Sequence, residues 1–116
     1  MDNSPINTQH FIGKTLTITI DRPLGSQHPK HGFTYPVNYG YLPDTISGDG
    51  EELDAYILGI YTPLENFTGE CIAIIHRIDD DDDKLVLVIP GTTLSNQEIR
   101  SLTHFQEQWF TSQIFR

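Results

Sequence analysis

Thr15-Leu16-Thr17-Ile18-Thr19-Ile20 alternates hydroxyl and aliphatic side chains without a break. β-Branched residues at period two send one set of side chains to each face, so the stretch reads as a half-buried strand. The next segment, residues 22–32, contains Pro23, Gly25, Pro29 and Gly32 and forbids a long regular element. Residues 53–60, 70–77 and 84–89 are aliphatic runs bounded by turn residues, the last closed by Pro90-Gly91, and read as further strands. Ser95-Asn96-Gln97-Glu98 has capping-box spacing, followed by Ile99, Leu102, Phe105, Trp109 and Phe110 at helical intervals. The pattern predicts a mainly β chain, a small barrel or strongly curled sheet, with one C-terminal amphipathic helix covering a flank.

At 116 residues the chain fits one domain, 1–116, with enough length for one modest core. Residues 1–13 carry little pattern and are expected to be loosely held. The opening Met1-Asp2-Asn3-Ser4-Pro5 lacks a basic and apolar leader, and no apolar run approaches the roughly 20 residues that span a bilayer. The single cysteine, Cys71, sits in the run Cys71-Ile72-Ala73-Ile74-Ile75 and reads as a buried strand thiol in a reducing setting. A cytoplasmic location is expected.

The net charge is −9, from 16 acids against 7 bases. That balance argues against nucleic acid and anionic membrane as partners, since both need a basic face. The acidity is local: Asp44, Asp49, Glu51, Glu52 and Asp54 form one group, and Asp79, Asp80, Asp81, Asp82 and Asp83 another. In the first, Gly48 and Gly50 let Asp49 and Glu51 fold back toward Asp54, whose apolar neighbours make its charge costly unless a cation meets it. A solvated acidic turn is the plain alternative. An EF-hand is excluded, because its sixth loop position needs glycine and Asp54 stands there. In the second group, carboxylates about 4 Å apart repel by roughly 4 kcal/mol at an effective dielectric near 20. Solvent relieves much of this, and a solvated hairpin loop is again the plain reading. If the two groups converge, they form an all-oxygen site suited to Mg²⁺, Mn²⁺ or Ca²⁺ rather than zinc. Tyr35, Tyr39 and Tyr41 lie within nine residues and are either phosphate donors or ordinary half-buried barrel residues. Lys30 and Lys84 could each meet a phosphate oxygen, with an exposed position as the default.

Tyr35-Pro-Val-Asn-Tyr-Gly-Tyr-Leu-Pro43, followed by Asp49-Gly-Glu-Glu-Leu-Asp54, resembles the soluble family I inorganic pyrophosphatases, whose signature is YPxNYG and then a D-x-D-P-x-D turn. Asp82-Asp83-Lys84-Leu85-Val86 resembles the family's second metal loop, and His104-Phe105-Gln106-Glu107 the start of its late helix motif. The resemblance implies an OB-like five-stranded β-barrel with a flanking helix and Mg²⁺-dependent hydrolysis of diphosphate, with Mn²⁺ as a second metal and self-association as the family habit. It implies Asp49, Asp54, Asp79 and Asp82 as metal ligands, and Glu51 with Asp54 as the catalytic pair. It also implies Tyr35, Tyr39, Lys84 and Lys30 at the substrate, with Asp21 as a supporting acid.

The chain departs from the family pattern at several points. Glu51 and Glu52 stand where the family has aspartate and proline, and Trp109-Phe110 where it has tyrosine-lysine. An arginine before the aromatic segment has no counterpart. His28, His31, His76, Arg22 and Arg77 are the remaining candidate donors, each with a surface or strand role as the plainer reading. Two alternatives stay open: a phosphoanhydride hydrolase with a different diphosphate substrate, and an inactive metal- or phosphate-binding module.

Overall fold

A computed structural model describes residues 8–45 and 51–116. Asp49 therefore lies outside the described residues. Strands β1 (Thr15–Arg22), β2 (Asn38–Leu42), β3 (Leu53–Ile57), β4 (Asn66–Arg77), β5 (Asp82–Val88) and β6 (Ser112–Phe115) form one sheet, with helix α1 (Asn96–Glu107) before β6. The order is β1-β2-β3-β5-β4-β6, and a further β1–β4 pairing closes the first five strands into a ring. β4 manages this by length: Asn66–Glu70 pairs with β1, while the same edge at Ile74–Arg77 takes β6. This is the expected five-stranded barrel, with β6 as an addition that the helical spacing of Trp109 and Phe110 conceals.

Period two sorts the side chains into two cores. Ile18, Ile20, Leu53, Ala55, Ile57, Cys71, Ile74, Leu85 and Leu87 fill the barrel interior. Tyr39, Tyr56, Leu58, Ala73, Ile75, Val86 and Val88 lie on the other face, under Ile99 of α1. Gly40 permits the β1–β2 contact, since a Cβ there would stand 2.0 Å from the Thr19 carbonyl oxygen. The capping box forms as expected: Glu98 N donates to Ser95 Oγ (3.1 Å) and Ser95 N to Glu98 Oε1 (3.0 Å).

Two expectations change. Where loose chain is expected before β1, Thr8–Phe11 forms a 3-10 turn, anchored by Thr8 Oγ1 on Asp83 Oδ2 (2.6 Å) and by Gly13 N on Cys71 O (2.7 Å). The helix ends at Glu107, so Trp109 and Phe110 belong to the turn that leads into β6. Among the described residues no helix is long and apolar enough to cross a membrane.

Candidate active site

Asp54, Lys84, Asp82 and Arg77 share the helix-facing parity of their strands, and register makes them neighbours. Asp54 on β3 stands beside Lys84 on the parallel strand β5, and Arg77 on β4 is opposite Asp82. Lys84 Nζ donates to Asp54 Oδ2 at 2.6 Å and lies 2.8 Å from Asp82 Oδ2. Burial is the largest influence on this ammonium and lowers its pKa, but Asp54 and Asp82 outweigh it and hold the pKa above the usual lysine value. The two carboxylates separated by a long stretch of sequence do converge, and the cation between them is a side chain.

Beside them, Arg77 reaches α1. Its Nε donates to Glu107 Oε1 (2.9 Å) and its Nη2 to Glu107 Oε2 (2.8 Å), a bidentate pair. Among the described residues its Nη1 has long approaches, 3.6 Å to Asp80 and 3.9 Å to Asp82. Phe110 lies 3.8 Å under the guanidinium. Glu107 Oε2 also accepts from Tyr56 Oη (2.6 Å), Tyr56 Oη from Gln106 Nε2 (2.8 Å), and Gln106 Oε1 from Tyr35 Oη (2.9 Å). Among the described residues, no buried side-chain nitrogen or oxygen is left without a partner. Burial first, and then the Asp54 charge for Tyr39 and the Glu107 charge for Tyr56, push both phenols well above the ordinary tyrosine pKa. They stay protonated donors.

Asp54, Lys84, Arg77 and Gln106 floor a cleft of about 1060 Å³ whose walls include Asp21, Arg22, His28, His31, Phe33 and Trp109, while Asp82, Glu107 and Tyr56 lie behind that floor. Asp21 opens onto the same space; desolvation raises its pKa most, Arg22 opposes, and Asp54 adds to the rise. Tyr35 and Tyr39 line the cleft, their rings stacked 5.5 Å apart. Asn38 of the same motif is structural, accepting the N–H of Leu24 and Leu64 and donating to Thr62 O.

Other expected site residues are placed elsewhere. The five-acid run is divided by its hairpin: Asp80 and Asp82 approach Arg77, Asp81 and Asp83 approach His76, and Asp79 Oδ1 accepts the Thr111 N–H at 2.7 Å. Neither Asp79 nor Asp82 lines the cleft, but Asp82 is joined to it through Lys84 (2.8 Å) and Asp79 is not. Lys30 is exposed in the turn after His28, its backbone N–H given to His28 Nδ1, and it too is outside the lining. Glu51 is exposed just ahead of β3. The sequence alone offers Arg77 as a candidate donor with a strand role as the plainer reading, presents Gln106 and Glu107 only within a motif, and gives no role to them or to Tyr56. A buried arginine in a strand of aliphatic neighbours is the available signal, since such a cation needs an acid partner.

Among the described residues no group of three or more His, Cys, Asp or Glu is placed to hold a metal ion. Asp54 and Asp82 nonetheless share one cation at an all-oxygen position. Mg²⁺ takes one or two carboxylates and completes its shell with waters and substrate phosphates, so this pair fits its sparse demand.

A family model for inorganic pyrophosphatase matches residues 12–115. The chain belongs to the inorganic pyrophosphatase family. Inorganic pyrophosphatase 1 of Pseudomonas syringae pv. tomato is 36% identical over 64 residues, which cover 53% of this chain and 37% of that protein. The inorganic pyrophosphatase of Rickettsia typhi is 27% identical over 97 residues, covering 81% of this chain and 51% of that protein. The chain thus spans about half or less of the length of the curated relatives it matches. The fold is that of the inorganic pyrophosphatase from Ehrlichia chaffeensis, with a TM-score of 0.66 at 18% identity over 97% of this chain and 86% of that one. The corresponding protein from Helicobacter pylori gives 0.64 at 17% identity, over 90% and 84% of the two chains.

Proposed function

We propose that this pyrophosphatase-family domain hydrolyses inorganic diphosphate to two phosphates with Mg²⁺, at the Asp54–Lys84–Asp82 cluster. One observation carries the reading: two carboxylates distant in sequence are held on either side of a buried ammonium, Asp54 and Lys84 lining an open cleft and Asp82 packed behind Lys84. Asp54 and Asp82 would hold the metal, joined by Asp49 of the family turn. Bound there, Mg²⁺ would supply the charge that admits an anionic substrate to an acidic protein and would acidify a water ligand. Glu51 would take the proton of the attacking water onto its carboxylate. Lys84 Nζ would exchange a carboxylate contact for an oxygen of the departing phosphate, and Arg77 Nη1, weakly engaged at 3.6 Å and beyond, would meet another. The Tyr39 phenol keeps its proton and can donate it in a hydrogen bond. Asp79 stays with Thr111 and is left out of the set. The buried thiol of Cys71 is in keeping with a cytoplasmic setting.

The test is phosphate release from diphosphate, with Mg²⁺ and with chelator. Release is expected only with the metal, and Asp54→Asn should lower its rate by roughly 10²-fold or more. No release at any Mg²⁺ or Mn²⁺ concentration would remove the reading. A binding module without turnover is the second reading, favoured by the Arg77 guanidinium already held on two of its nitrogens by Glu107. Calorimetric Mg²⁺ binding without hydrolysis would select it.

A further inference from the structure

The proposed reaction uses the floor of the cleft and leaves its mouth unassigned. There Trp109 is 61% exposed, with its ring 6.0 Å from Phe33 at an interplanar angle of 28° and 6.4 Å from His31. Phe33 continues inward to Tyr35 at 5.5 Å, Tyr35 stacks on Tyr39, and the Lys84 ammonium lies 5.8 Å from the Tyr39 ring. A line of rings runs from solvent to the ion-paired floor.

Packing explains its inner members. Phe33, Tyr35 and Phe105 contact one another and join α1 to the barrel. Packing does not explain Trp109, which stands past the end of α1 with most of its surface in water. A large ring held at the rim of a cleft, parallel to the ring behind it, is a stacking platform. At the other end, Arg77 Nη1 and Lys84, the latter paired with Asp54 and Asp82, are the cations, to which a metal arriving with the ligand would add. The cleft therefore matches a ligand with a flat ring at one end and anionic oxygens at the other, and inorganic diphosphate uses only the second half.

We infer that the cleft takes nucleoside diphosphates, with the base against Trp109 and Phe33 and the diphosphate toward Lys84 and Arg77. The inference rests on the reading of the floor as a phosphoanhydride site. Stacking engages the π-face that every base has, so ADP, GDP and UDP should all bind. The net charge of −9 disfavours a nucleic acid strand and favours a nucleotide that arrives with Mg²⁺.

Trp109 is the only tryptophan in the chain, so intrinsic emission reports on the mouth alone. With Mg²⁺ in excess, titration with ADP should quench that emission to saturation, and inorganic diphosphate should not. By calorimetry, Trp109→Ala should weaken ADP by roughly tenfold more than it weakens inorganic diphosphate. Circular dichroism of the variant checks that it folds, and Trp109→Phe should restore most of the ADP affinity. Phosphate release from inorganic diphosphate is assayed in parallel. Release without quenching by ADP overturns the ring subsite and leaves the hydrolase reading standing. Quenching by ADP without release supports the subsite and removes hydrolysis of inorganic diphosphate. Neither signal removes both. A ligand-free emission that shifts to the blue with rising protein concentration would mean that a second copy covers Trp109, and would overturn the subsite.

Discussion

At the floor of the cleft, Lys84 lies between Asp54 and Asp82, and Arg77 is clasped by Glu107 while Tyr56 and Gln106 tie the network to Tyr35. At the mouth, His28, His31, Phe33 and Trp109 touch as rings, with no ion pair among them and with Trp109 largely in water. The floor is built on strands, whose register leaves each charge little freedom. The mouth is built on the β1–β2 connection, held by backbone hydrogen bonds such as His28 N to Phe33 O and Tyr35 N to Ser26 O (both 2.8 Å), and on the turn after α1. Paired charges at fixed register suit a part of the ligand that never varies, and exposed rings, which any flat group can cover, suit a part that does.

Removing one ion at the floor should give the largest effect. Glu107→Ala leaves the buried Arg77 guanidinium without its bidentate partner, and a loss of roughly 3–5 kcal/mol is expected by urea denaturation. A loss under about 1 kcal/mol would mean that water reaches Arg77, as it reaches the mouth. Tyr56→Phe comes next, at about 1–3 kcal/mol, because Glu107 and Gln106 both lose a partner while the ring stays. At the mouth, Trp109→Ala should change stability by no more than about 0.5 kcal/mol, as for other exposed positions.

Proton titration should separate the two regions by direction. The phenols of Tyr39 and Tyr56 have raised pKa values, so their contribution is complete below about pH 10 and declines as alkali ionises them more readily in the unfolded chain. Tyrosinate absorbance should appear late and together with unfolding. His28 at the mouth has a lowered pKa, first through desolvation and then through the neighbouring His31, Arg22 and Lys30. Its contribution is complete above about pH 6.5 and declines as acid protonates the unfolded chain first. This is the smallest effect, best read as a change in Trp109 emission below that pH without a change in the phenols.

Four of the five barrel strands were legible because period-two alternation in residues 15–20 and three aliphatic runs carry the strand signal directly, and the capping box at Ser95 and Glu98 marks a helix start. Strand β2 was not, since Asn38-Tyr39-Gly40-Tyr41-Leu42 has neither an aliphatic run nor β-branched alternation. The short strand β6 was not legible, since Ser112-Gln113-Ile114-Phe115 follows Trp109 and Phe110 closely enough to extend a helical pattern. At the site, motif residues Tyr35, Tyr39, Asp54 and Lys84 line one cleft, and Asp82 joins them through Lys84. Asp79 does not, because the left-handed backbone at Asp81 (φ 56°) turns the hairpin within the acid run and divides its side chains among Arg77, His76 and Thr111. A run of identical residues carries no information about which member faces where. Glu107 was hidden for a different reason: its partner Arg77 lies 30 residues away, and only the packing of α1 on the barrel joins them.

The parallel pairing of β3 with β5 has a consequence for how the chain reaches this state. Asp54 meets Lys84 only after the intervening long hairpin has folded back. As the two acidic segments approach, Asp82, Asp83 and Lys84 arrive together on β5, and the surplus of acids over that one ammonium opposes their meeting with β3. Ring closure is non-local and therefore slow to search, and electrostatic repulsion adds to its barrier. Refolding should accordingly quicken as ionic strength rises, at constant native contacts, because dissolved ions screen the acids before Lys84 is seated between Asp54 and Asp82.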